Sequence, residues 1–178
     1  MVRSKIRSPH SQLVRSPKWS AQPAQLIVVR YGGSMSKVAQ SLEVTCSPES
    51  LMDFIVDVSN HPAFIGPLKS VENIKGDVKK PGTSWDWVYS LAGVELSGKA
   101  ETIRFVPAKE FVYKTTTGAK STFTYRADPA GAKTKLSLSV EYDVPTNALG
   151  KMKASVFEKL NDAEGKRVVE NLKALLEE

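Results

Sequence analysis

Six short segments of alternating apolar and polar residues follow one another between residues 68 and 144, and this run constrains the fold most. Turn signals separate consecutive segments, in the order KPG, LAG, VPAKE, TTGAK and DPAGAK. Alternation with a period of two is typical of half-buried strands, and strands joined by such short connections pair antiparallel. The run therefore predicts a meandering antiparallel sheet with strands near 68–77, 83–91, 94–106, 110–117, 120–127 and 133–144.

One more strand and a helix precede this run. Residues 38–45 alternate in the same way, which brings the predicted strand count to seven. Ser47 is a good N-cap, Pro48 suits the first helical position, and Glu49 favours the positive end of the helix dipole. Apolar residues at helical spacing then continue the predicted helix to about Ser59.

The period changes again after Pro145. Apolar residues recur there at intervals of three to five, which predicts an amphipathic helix of about thirty residues. Two glycines, Gly150 and Gly165, lie inside this helix and indicate either close packing or a bend. The apolar face of the predicted helix consists of Leu149, Met152, Val156, Leu160, Ala163, Val168, Leu172 and Leu175.

A strand, broken helices, a six-stranded meander and a long terminal helix form, in this order, the α+β helix-grip architecture. In three places the chain resembles the superfamily of START-related lipid-transfer domains, birch-pollen-allergen-like proteins, polyketide cyclases and the G-type subunits of carbon monoxide dehydrogenase. These are the opening SLEVTCSPESLMDFIVDVSNHPAF, the GTSWDW that begins the third strand, and the terminal helix. The resemblance covers Met35 to Glu178, as one domain.

The resemblance implies a seven-stranded curved sheet wrapped around the terminal helix, with two short helices between the first two strands. The segment NHPAFIGP, residues 60–67, is then a corner that Pro62 and Pro67 terminate. The fold also implies a hollow lined by alternate strand residues, although a filled core remains the other interpretation. The expected lining is Phe64, Trp85, Trp87, Tyr89, Tyr113, Phe123, Tyr125 and Tyr142, with Met152 and Val156 as the far wall.

The sequence offers few groups for catalysis. His61 is the only histidine after residue 34, and a lone histidine beside a proline is usually a surface or capping group. Strict alternation places Arg104 on the same face as Thr102, and Glu101 on the opposite face. We therefore consider Arg104, Glu101 and His61 the candidate polar groups of the cavity. No catalytic residue, metal site or cofactor fingerprint is predicted, and the single Cys46 is expected to be a small buried hydrophobe.

The net charge of +6 is confined to the N-terminal segment. Residues 1–34 contain six Lys or Arg and no acid, and the rest of the chain has 19 basic and 19 acidic residues. A neutral domain with interleaved signs is not expected to bind nucleic acid specifically. The segment itself is interpreted as a disordered arm, a transit peptide or sequence upstream of a true start at Met35, with a weak strand at LIVVRY.

These observations predict a cytoplasmic protein, monomeric or weakly dimeric, without a transmembrane segment or cofactor. Its expected partner is a hydrophobic small molecule, such as a lipid, isoprenoid, quinone or polyketide-like compound, held in the internal cavity. Two alternatives remain: a cyclase or dehydratase that uses polar cavity groups, and a protein-interaction module that uses the outer face of the sheet.

Overall fold

The computed structural model describes residues 35–91, 93–143 and 154–177. Residues 1–34, which include the predicted LIVVRY strand, lie outside this range. The strands are β1 (Met35–Val44), β2 (Leu68–Lys75), β3 (Ser84–Leu91), β4 (Val94–Val106), β5 (Glu110–Thr115), β6 (Ser121–Ala130) and β7 (Lys133–Asp143). The helices are α1 (Pro48–Val56), α2 (His61–Phe64) and α3 (Ala154–Leu176), and a 3₁₀ turn (Val58–Asn60) precedes α2.

The seven strands form one antiparallel sheet in the order β1-β7-β6-β5-β4-β3-β2. Strands β2 to β7 follow one another as a meander, which confirms the prediction from the alternating segments. The first strand then pairs with the last, from Met35 opposite Asp143 to Val44 opposite Thr134. This order, with α3 across the sheet and two short helices between β1 and β2, is the helix-grip fold.

Hydrogen bonds fix the start of α1 and the corner between α1 and β2. Ser47 caps α1, because its hydroxyl accepts a hydrogen bond from the amide of Ser50 at 3.1 Å. The side-chain amide of Asn60 donates to the carbonyl of Phe54 at 3.1 Å. The carbonyl of Phe64, at the end of α2, accepts from the side chain of Asn171 at 3.1 Å, which ties the corner to α3.

Helix α3 lies on the sheet close to β1. A Cβ atom added to Gly165 would lie only 2.6 Å from Cγ1 of Val38, so this glycine permits close packing, whereas Gly150 lies outside the described residues. The buried face of α3 is also rotated from the predicted one, since Ala163 is exposed. The buried residues are Glu164, Gly165, Val168, Val169 and Leu172.

The hydrophobic core lies between the inner face of the sheet, the two short helices and the second half of α3. Its largest fully buried side chains include Tyr125, Phe64, Phe111, Leu51 and Leu136. No helix in the described part of the chain is long and apolar enough to cross a membrane.

Candidate ligand-binding cavity

A cavity of about 140 Å³ lies between the inner face of the sheet and α3. Its walls are largely apolar and come from β1, from β2 to β7, from the corner after α1 and from residues 161–168 of α3. The cavity exists because the curved sheet turns alternate side chains inwards, while α3 contacts the sheet mainly along β1. Helix and sheet therefore do not fill the concavity completely.

Most of the aromatic residues expected to line a cavity lie in its wall. Three come from β3, namely Trp85, Trp87 and Tyr89, and four come from β5 to β7, namely Tyr113, Phe123, Tyr125 and Tyr142. Two of them stack across neighbouring strands, since the rings of Tyr113 and Phe123 have centroids 4.6 Å apart and planes 12° apart. The alternation of side chains along these strands places them on one face.

Other expected lining residues do not lie in this wall. Phe64 is fully buried in the core, where its ring meets that of Tyr125 edge-on with centroids 6.3 Å apart. It is not among the residues that border the cavity. Met152 and the side chain of Val156 lie outside the described residues, so the expected far wall stays a prediction.

Arg104 and Glu101 face outwards, so the expectation that they are cavity groups is corrected. A β-bulge between Thr102 and Arg104 inserts one extra residue in β4 relative to β5. The period of two is broken there, and Arg104 moves to the outer face, where its guanidinium contacts the buried carboxylate of Glu110. Glu101 needs no bulge to face outwards, and it pairs with Lys114 at 3.0 Å.

His61 borders the cavity and is fully buried, in contrast to the surface position expected of a lone histidine. Its Nε2–H donates to the carbonyl of Ile55 at 2.8 Å, which orients the ring. Burial lowers the pKa of His61 to about 4, although this hydrogen bond and the charge of Asp57 oppose the shift. His61 is therefore a neutral, fixed part of the wall at neutral pH.

The tyrosines of the wall keep their protons. Burial raises the pKa of Tyr89, with a further contribution from the negative charge of Glu164. Burial raises the pKa of Tyr113 well above its usual value, and it also raises that of Tyr125. The Tyr125 hydroxyl is close enough to Tyr113 to influence its pKa but outside hydrogen-bonding geometry. These groups offer hydroxyls, and not phenolates, to the cavity.

Glu164 is the buried carboxylate in the cavity wall, and sequence reasoning missed it. It is 6% exposed and lies on α3 beside the corner, where a Cβ on Gly66 would be 3.4 Å from Oε1. The signal was present in the sequence, because Glu164 occupies the position between Leu160 and Val168 at a spacing of four. A charged residue in the apolar stripe of a helix indicates a buried polar role.

Two glycines of neighbouring segments leave room for the indole ring of Trp87. A Cβ on Gly98 or on Gly118 would lie 2.9 Å from Cζ2 of the Trp87 ring. Both positions thus leave room for the indole, and Gly118 also has a positive φ of 85° that glycine adopts without strain. The indole Nε1–H is buried and has no hydrogen-bond partner among the residues that the structure describes.

The described residues contain no group of three histidine, cysteine, aspartate or glutamate side chains that could hold a metal ion. Cys46 is half-buried, and burial together with the charge of Glu177 raises its thiol pKa. A raised pKa disfavours the reactive thiolate.

Comparison with solved structures supports the fold. A protein of Thermus thermophilus matches with a TM-score of 0.68 at 15% identity, over 79% of this chain and 96% of that one. The Zhui aromatase/cyclase from Streptomyces matches with a TM-score of 0.66 at 15% identity, over 80% and 94%. A START superfamily protein from Mycobacterium smegmatis matches with a TM-score of 0.65 at 14% identity, over 79% and 97%. At these identities the likeness concerns the fold alone.

No curated protein sequence matches the chain significantly. The family described as polyketide cyclase / dehydrase and lipid transport matches residues 35–177. The match spans all the strands, both short helices and α3, including the residues around the cavity, so the chain belongs to this family.

Proposed function

We propose that this protein binds a hydrophobic small molecule in the cavity between the sheet and α3. The observation that carries the proposal is an unfilled, largely apolar space whose wall contains a few polar groups, the usual composition of a small-molecule site. Lipids, isoprenoids, quinones and polyketide-like compounds have the apolar surface that such a wall accommodates. Family membership supports this class of ligand.

The size of the cavity limits what enters it without rearrangement. A volume of about 140 Å³ is below the roughly 300–1,000 Å³ of a pocket that encloses a drug-sized ligand. It is close to the roughly 150 Å³ of an engineered apolar cavity that takes up benzene. We therefore propose that one ring of the ligand, or a segment of comparable size, occupies the described cavity, and that a larger ligand separates α3 further from the sheet.

The proposal is tested by native mass spectrometry of the full chain purified from its own source, followed by titration with toluene as a ring-sized apolar probe. We expect a co-purifying small molecule and saturable uptake of toluene that changes the fluorescence of Trp85 or Trp87. A protein that carries no ligand and shows no saturable uptake would contradict the proposed function.

A cyclase or dehydratase is the second candidate, and the buried carboxylate of Glu164 favours it. A carboxylate in the wall of a substrate cavity is placed to accept a proton, as cyclisation with loss of water requires. We expect a catalyst to change the mass of its ligand by one water, and Glu164→Gln to abolish this change while the ligand still binds. A ligand that is recovered unaltered would favour binding alone.

The protein-interaction alternative finds less support. The outer face of the sheet carries ion pairs, among them Lys37 with Glu141 at 3.1 Å and Arg126 with Glu110 at 2.8 Å. Its exposed large hydrophobic residues include Ile103 and Val106, which are only 38% and 37% exposed. Charged pairs of this kind disfavour an apolar docking surface.

A further inference from the structure

The cavity wall contains the buried side-chain atoms of the described residues that lack a hydrogen-bond partner. Within residues 35–91, 93–143 and 154–177, three buried side-chain atoms lack a hydrogen-bond partner, namely Nε1 of Trp87, the hydroxyl of Tyr125 and Oε1 of Glu164. All three residues border the same cavity. Buried polar groups are nearly always paired in folded proteins, so three exceptions around one cavity indicate that its occupant is their partner.

Glu164 is the most demanding of the three because a carboxylate oxygen only accepts hydrogen bonds. Its two oxygens have different surroundings. Oε2 lies 3.6 Å from Nη1 of Arg167, whose side chain is 70% exposed, whereas Oε1 is buried beside Gly66 and has no donor. An acceptor left unpaired in a protein interior destabilises the fold, and a charged acceptor does so more strongly. The partner that Oε1 requires is therefore a hydrogen-bond donor.

We propose that the ligand carries a neutral hydroxyl group on an apolar ring, and that this hydroxyl donates a hydrogen bond to Oε1 of Glu164. The inference rests on the proposed function, and it adds the chemical class of the ligand. Arg167 already supplies a positive charge to the carboxylate, so a neutral donor meets the remaining need better than a second cation does. The Trp87 Nε1–H and the Tyr125 hydroxyl remain to donate to an acceptor oxygen of the same ligand.

The size of the cavity agrees with this class of ligand. A volume of about 140 Å³ holds one hydroxylated ring, with aromatic walls on β3, β5 and β6 that stack well on a planar group. Ordered water is the competing occupant, since a cavity with several polar atoms and this volume also has room for water. A binding experiment with ring-sized probes distinguishes a hydroxylated ring from ordered water as the occupant.

Four ring-sized probes that differ in one group provide the test on the full chain: toluene, para-cresol, para-methylanisole and benzylamine. We expect wild-type protein to bind para-cresol at least about tenfold more tightly than toluene or para-methylanisole by calorimetry, because a hydrogen bond to a charged acceptor contributes about 1.5–3 kcal/mol. Glu164→Gln keeps the shape and should reduce this preference. Glu164→Leu should abolish the preference, so that para-cresol and toluene bind with similar affinity.

Each other outcome has a definite meaning. If toluene binds and para-cresol binds no tighter than para-methylanisole, the hydroxyl assignment is wrong and the proposed function stands. Tighter binding of benzylamine would show that the site takes a cation and would also overturn the inference. If no probe binds, both the inference and the proposed function are wrong. If Glu164→Leu does not fold, Glu164→Gln provides the test, and an unchanged preference for para-cresol in that variant would overturn the inference.

Discussion

Gly165 of α3 packs directly against Val38 of β1, and no side chain fits between them. A Cβ at residue 165 would lie 2.6 Å from Cγ1 of Val38. We expect Gly165→Ala to lower the free energy of unfolding by about 1–3 kcal/mol through overpacking, although alanine favours a helix over glycine. Adding Val38→Ala should recover part of the loss in a urea titration. The exposed neighbour Lys166→Ala is the control, and an equal or greater stability of Gly165→Ala would contradict the close contact.

Filling the cavity should block probe uptake at little cost in stability. Ala100 on β4 borders the cavity and is 1% exposed, so the extra carbons of Ala100→Leu have empty space to enter. We expect a change of less than about 1 kcal/mol in the free energy of unfolding and loss of toluene uptake. Ala127→Leu is the matched control, because Ala127 is equally buried in the same hydrophobic core but does not border the cavity. The free energy of unfolding of that variant should fall by about 1–3 kcal/mol. A loss of the same size in both variants would show that there is no empty space beside Ala100.

The buried His61 should make the protein sensitive to acid. The pKa of His61 is lowered from 6.5 to about 4 by burial, so the unfolded chain takes up a proton before the folded protein does. The free energy of unfolding is unaffected by this group above the unfolded pKa, and it falls as the pH drops from 6.5 towards 4, by about 3 kcal/mol in total. We expect His61→Gln to flatten the pH dependence of the unfolding free energy in this window, whatever its absolute stability. Parallel curves for wild type and variant would exclude His61 as the titrating group.

Removal of residues 1–34 should leave the domain intact. The segment is polar and proline-rich in composition, and such a sequence buries little apolar surface. We expect the truncated chain to keep the melting temperature and the toluene uptake of the full chain, as measured by circular dichroism and calorimetry. A drop of more than a few degrees would indicate that LIVVRY forms an integral strand.

Binding to polyanions should depend on the same segment. All the excess positive charge lies in residues 1–34, and the rest of the chain has equal numbers of basic and acidic residues. Any weak binding of the full chain to DNA or to anionic vesicles should therefore fall with salt and disappear after truncation. Salt-sensitive binding by residues 35–178 would show that the domain has a basic surface of its own.

The strands and the order of strands and helices could be predicted because the sequence patterns that indicate them are local. The alternation in β3 puts Trp85, Trp87 and Tyr89 on one face, and the structure has them there. The cap at Ser47 and the turn signals likewise depend on neighbouring residues only, which is why the bounds of the strands and of α1 agree with the prediction within a few residues.

Features that depend on tertiary packing could not be predicted in this way. The β-bulge that turns Arg104 outwards is a property of the pairing between β4 and β5, and the burial of His61 depends on aromatic rings from β5 and β6. Glu164 could be predicted in part. Its place in the apolar stripe of α3 can be read from the sequence, but its lack of a hydrogen-bond partner depends on tertiary packing. The volume of the cavity follows from how closely α3 approaches β1, which no periodicity encodes.

The pairing of the first strand with the last has a consequence for synthesis of the protein. When β1 leaves the ribosome, its partner β7 and the helix that packs on it have not yet been made. Strands β2 to β7 can form hairpins in the order of their translation, whereas β1 must wait for β7, and long-range pairings of this kind slow folding. The newly made β1 therefore exposes unpaired backbone groups for most of translation, a period in which a nascent chain is prone to aggregate. A ligand site between the sheet and α3 can form only after α3 has emerged, so ligand binding can stabilise the folded domain but cannot guide its early folding.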